Sequence, residues 1–101
     1  MGMFDWYKPQ PDVSCPVCRA VLREWQGKDG PCALFVWEQG MQSPVDQPVD
    51  DDARLPSEKL AVWRLPSSFR IYAYCGCGER VEAEGRCRDE TWRDTHVKNA
   101  A

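Results

Sequence analysis

The chain has 101 residues, 43% of them hydrophobic, with five Trp, three Tyr and three Phe. This excludes a disordered chain and allows one domain, hardly two. The formal charge is −3, from 13 Lys and Arg against 16 Asp and Glu. Asp46, Asp50, Asp51 and Asp52 supply four of those acids from one stretch and leave 12 elsewhere, near balance, so no broad basic footprint for non-specific nucleic-acid binding exists.

Residues 1–13 open with Phe4, Trp6 and Tyr7 and then carry Pro9 and Pro11, which disfavour helix. We expect an extended arm whose aromatics dock or offer a contact surface, with Asp5 facing water. Its first residues lack the basic and apolar regions of an export signal, and no run approaches the roughly eighteen apolar residues of a membrane span; a cytoplasmic protein with no membrane partner is the expectation.

Cys15-Pro16-Val17-Cys18 forms a tight bend, and Ala20–Trp25 behind it reads as a strand. Gly27-Lys28-Asp29-Gly30-Pro31 has the composition of a hairpin turn rather than the spacing of a phosphate-binding loop. The apolar run Cys32–Trp37 reads as the next strand, closed by Gly40. From 41 to 56 the chain gathers Pro44, Pro48, Pro56 and the acids, as a mobile, solvated loop would. Leu60–Leu65 reads as a strand, although Ser57–Leu60 can begin a short helix. In Phe69–Tyr74 the apolar Phe69, Ile71 and Ala73 alternate with Arg70, Tyr72 and Tyr74, and Arg80–Glu84 alternates again, which predicts an antiparallel hairpin about Cys75-Gly76-Cys77-Gly78. A docked Trp92 and a fraying tail over 93–101 complete the chain.

The two close cysteine pairs are local chelators, and zinc takes four soft ligands in a tetrahedron. Cys15, Cys18, Cys75 and Cys77 are therefore the expected zinc ligands. The second pair has one intervening residue rather than two, which keeps Cys87 and Cys32 open as substitutes; otherwise these two are buried small hydrophobes. Three disulfides are the alternative, disfavoured in a reducing compartment. His96, the single histidine, lies far in sequence from either bend. The predicted fold is a small, mainly-β domain over 1–101: zinc-ribbon-like antiparallel hairpins capped by a four-Cys site, with a strand-containing insertion.

The opening Met1-Gly2-Met3-Phe4-Asp5, the Cys-Pro-x-Cys bend, Glu24–Gly30 and the approach Ile71–Cys75 together resemble a set of small, uncharacterised zinc-ribbon-like proteins of bacteria and their phages that begin Met-Gly-Met-Phe-Asp. The resemblance implies a metal-stapled β domain and transfers no activity. This chain departs from the pattern by its Cys-x-Cys second bend.

Four thiolates close the coordination sphere, so the function expected is a non-catalytic structural-zinc module that binds another macromolecule, first of all a protein or a second copy of itself. Phe4, Trp6, Tyr7, Arg70, Tyr72 and Tyr74 are the candidate contact residues. Two alternatives stand beside it. Arg64, Arg70, Tyr72, Tyr74 and Arg80 can make a face that stacks single-stranded bases, against which Glu79, Glu82 and Glu84 count electrostatically. Cys15 and Cys18 can form a redox dithiol, although a strand rather than a pKa-lowering helix follows them. Trp25, Trp37 and Trp63 are read as core.

Overall fold

Alternation of apolar and polar side chains builds one large sheet. The computed structural model describes residues 4–50 and 52–98, so Met1–Met3 of the arm, Asp51 of the acidic stretch and Asn99–Ala101 of the tail lie outside the described residues. In chain order the elements are β1 (Asp5–Lys8), β2 (Val13–Ser14), β3 (Val21–Leu22), β4 (Trp25–Gly27), β5 (Val36–Glu38), α1 (Ser57–Leu60), β6 (Ser68–Tyr74), β7 (Arg80–Arg88) and β8 (Thr91–Val97). Six strands form a sheet of order β5-β1-β4-β6-β7-β8, and β2 pairs with β3 in a separate two-stranded ribbon. All pairs are antiparallel except β1 with β5.

One face of the sheet is dry. Tyr7, Trp25, Trp37, Phe69, Ile71, Ala73, Val81, Ala83 and Trp92 are buried on it, and Phe35, Leu60 and Leu65 from the irregular segments pack against them. Burying side chains of this size is the main favourable term available to the chain. The opposite face carries Lys8, Gln26, Arg70, Tyr72, Tyr74, Arg80 and Glu82, exposed or half-buried. The shortest dimension of the molecule is 19 Å, as a single sheet with one covering layer requires. No helix among the described residues is long and apolar enough to cross a membrane.

The β6–β7 hairpin forms in the expected register, with Ile71 opposite Ala83 and Tyr74 opposite Arg80. Elsewhere the sequence reading is corrected. The strand expected over Ala20–Trp25 is two strands of different sheets, because β3 belongs to the ribbon and β4 to the main sheet. Gly27–Pro31 is not a hairpin turn: β4 and β5 are separated by β1, and Cys32 and Leu34 take positive φ of 59° each, which interrupts the expected 32–37 strand. Leu60–Leu65 is a helical end, a turn and irregular chain rather than a strand, and Trp63 is 41% exposed rather than core. Residues 93–97 belong to β8 instead of a fraying tail, with Trp92 fully buried as expected.

The acidic, proline-rich stretch folds back on the β5 edge. Val36 bridges Asp46, and the Gln47 side chain donates to the Ala33 carbonyl at 3.0 Å while accepting from the Leu55 amide at 2.8 Å.

Candidate metal centre

The β2–β3 turn holds Cys15 and Cys18, and the β6–β7 turn holds Cys75 and Cys77. In each turn a backbone bond closes the bend: the Arg19 amide donates to the Cys15 carbonyl at 2.9 Å, and the Gly78 amide to the Cys75 carbonyl at 2.9 Å. The residue after each second cysteine takes a left-handed conformation, Gly78 at φ 96° and Arg19 at φ 67°. Glycine adopts that geometry freely, whereas the arginine is strained there.

The two turns face each other, and the four sulfurs lie within 4.8 Å of one another. Across the turns, Cys15 Sγ stands 3.9 Å from Cys77 Sγ and Cys18 Sγ 3.3 Å from Cys75 Sγ. A tetrahedral ion with thiolate bonds of about 2.3 Å spaces its ligand sulfurs about 3.8 Å apart, so these distances bracket what one metal needs. Cys15 and Cys75 are buried, Cys18 and Cys77 exposed. The site is thus at the surface with one side packed on the core.

Backbone amides aim at these sulfurs. The Cys18 amide, and after it the Val17 amide at 3.4 Å, draw the Cys15 thiol down to about 7, against the opposing effect of burial. At Cys75 the Cys77 amide acts in the same direction, but the neighbouring Cys18 thiol, burial and the other two thiols push it up to about 12. Cys77 is raised as well, the Glu79 amide and Cys75 being outweighed by burial and the facing pair. Four thiols this close resist ionising together; a cation among them removes that conflict. The donor set fits a soft divalent metal.

All six cysteines are free of disulfides, and neither proposed substitute joins the cluster. Cys32 lies half-exposed on a turn, its thiol donating to the Lys28 carbonyl at 3.2 Å, rather than in an apolar strand. Burial, and then Asp5, raise its pKa. Cys87 is half-buried opposite Trp92, and burial raises its thiol too. His96 stands on β8 opposite Glu84, outside the cluster.

The candidate contact residues divide. Tyr7 is core, 1% exposed, and its ring stacks on Phe69 at 5.3 Å; it offers no surface. Phe4 and Trp6 are half-buried in an edge contact at 4.9 Å. Arg70, Tyr72 and Tyr74 lie together on the open face, with Arg80 over the Tyr72 ring at 4.7 Å. Arg64 is not among them: it bonds Glu90 at 2.9 Å and the carbonyls of Ala61 and Trp63.

Sequence reasoning placed Asp5 in water, yet it is fully buried. Its Oδ1 accepts from the Ala33 and Phe35 amides and its Oδ2 from the Cys32 amide and Trp37 Nε1, at 2.9–3.2 Å. Strict alternation within Phe4-Asp5-Trp6-Tyr7, which puts Asp5 on the Tyr7 side, was the available signal. No protein-family model, curated protein or solved structure matches the chain.

Proposed function

We propose that the protein is a non-catalytic structural-zinc module whose sheet presents a binding surface to another macromolecule. The observation that carries this reading is the convergence of four cysteine sulfurs, and of no histidine or carboxylate among the described residues, on one point between two hairpin turns. Zinc bound by four thiolates is coordinatively closed and serves to hold structure. Cys15 and Cys18 hold it from the β2–β3 ribbon, Cys75 and Cys77 from the end of the β6–β7 hairpin, so the ion ties the ribbon to the main sheet. The ribbon has only four residues in strands and needs such a tie, because a two-stranded ribbon is marginal alone.

The dithiol alternative has less to support it. Cys15 and Cys18 each sit against a cysteine of the other turn, and the one helix among the described residues, α1, does not follow them. A redox dithiol draws its low pKa from a helix N-terminus or a nearby cation.

The test is metal content by mass spectrometry on the purified chain and on six single Cys→Ser variants. The expected result is one zinc per chain, lost in C15S, C18S, C75S and C77S with a large fall in melting temperature, and retained in C32S and C87S. Retention of zinc in any of the first four, or its loss in either of the last two, overturns the ligand assignment.

A further inference from the structure

We infer that the open face of the sheet, over β1, β4 and β6, is a docking surface for single-stranded nucleic acid. This rests on the reading of the chain as a metal-stapled binding module, and it names the partner in place of the protein that the overall charge favours.

The strand register assembles the surface. Trp6 pairs with Gln26, Gln26 with Tyr72, and Tyr72 with Glu82, so these residues form one row across four strands. Tyr74 follows Tyr72 on the same face, 69% exposed, and meets its ring edge-on at 5.9 Å. Large rings left on an open sheet face are stacking platforms, and each base so held contributes to affinity independently of its identity.

Cations border the rings. Lys28, Arg70 and Arg80 line a shallow hollow of about 190 Å³ beside Tyr72, and Lys8 stands on the same face of β1 two residues beyond Trp6. Lys8, Lys28 and Arg70 make no ion pair among the described residues. Two acids, Asp29 and Glu82, line the same hollow, so its three cations outnumber its acids by one. Glu84 pairs with Arg86 and Lys98, the Glu82 carboxylate lies 3.3 Å from Arg80, and Asp29 accepts the Arg70 amide. The acidic stretch around Asp46 packs on β5, the edge strand beside β1, and its Pro48 lines a hollow with Trp6 and Lys8, so the cations nearest Tyr72 lie two strands further in. Around Tyr72 the balance is slightly positive, three cations to two acids, against −3 for the whole chain.

A duplex keeps its bases stacked on each other and cannot use rings on a flat sheet, whereas a single strand can splay its bases onto them. An acidic peptide would use the cations but would be indifferent to the tyrosines.

The experiment is fluorescence anisotropy of short, labelled, mixed-sequence DNA and RNA single strands titrated with the metal-loaded full chain across a range of salt. Metal content and melting temperature are read on the same samples, so failure of the zinc staple and failure of this face are separate results. Binding of either strand is expected, with a log–log salt slope of about −2 for three cations. The double variant K28A/R70A should bring the slope about 1.4 closer to zero. Y74A should weaken binding about 5- to 100-fold and Y74F should restore it, while K59A, on α1, changes nothing. The inference is overturned by the absence of binding at low salt to folded, zinc-loaded protein. It is overturned equally by affinity that ignores both the K28A/R70A and Y74A changes, or by a polyglutamate peptide that competes equally well and binds independently of Tyr74.

Discussion

Each oxygen of the Asp5 carboxylate receives two N–H donors, which is what lets a fully buried acid persist at the end of a dry sheet. Asn at this position would turn its amide nitrogen towards two of those donors whichever way it lay. Asp5→Asn should therefore cost about 3 kcal/mol or more in chemical denaturation, since bonds to a charged acceptor contribute roughly 1.5–3 kcal/mol each. Tyr7 presents the reverse case. Its hydroxyl is buried and has no hydrogen-bond partner among the described residues, and its pKa is raised, first by burial and then by Asp5. Tyr7→Phe is expected to leave the fold unchanged and to raise stability by about 1 kcal/mol; a loss of that size would show the hydroxyl to be satisfied. Both residues stand on one strand whose alternation was readable. What could not be read was that the 32–37 segment would curl with positive φ at Cys32 and Leu34 to bring its amides onto Asp5.

At the scale of elements, β6 and β7 were legible because their alternation is local and the turn between them carries the cysteines. Strand β5 was legible as a strand at Val36 and Trp37, but its pairing was not, because it lies parallel to β1 from far along the chain and no short-range turn signals such a pairing. Strand β8 was obscured by its charge. It is an edge strand with Arg93, Asp94 and His96 exposed, and a register shift at Arg86/Cys87 breaks the period that would have marked it. The β6–β7 pairing also depends on a glycine. Gly85 lies under the Phe69 ring, where a Cβ would collide with ring carbons, so Gly85→Ala should destabilise by roughly 1–3 kcal/mol in the same assay. Between β7 and the end of β8, the Arg86 side-chain bond, and secondarily Lys98, hold the Glu84 carboxyl below its ordinary range. Its lowered pKa means that the stabilisation is present above the ordinary carboxylate pKa and is lost as the pH falls through that range to the folded value. The increment is small because the pair is solvent-screened. An acid titration of melting temperature should show it in the native chain and not in Glu84→Gln.

Seen whole, the molecule is a thin slab with a dry face, an open face and a four-cysteine cluster at one margin. The dry core belongs to the six-stranded sheet, which carries Trp25, Trp37 and Trp92. The small ribbon joins that core through Cys15 and Leu22, both buried in the same hydrophobic cluster. Spacing alone singled out the four cysteines that converge, because close cysteine pairs on turns are local chelators wherever the turns end up. The opposition of the two turns exists only once strands from both halves of the chain pair. The measurement that bears most directly on this account is the melting temperature of the purified chain before and after a strong chelator, with metal counted by mass in both samples. One zinc per chain, and a fall of at least about 20 °C on its removal, is the outcome predicted from the size of structural zinc affinities. Protein that is metal-free as purified, or that melts cooperatively at the same temperature once stripped, contradicts it.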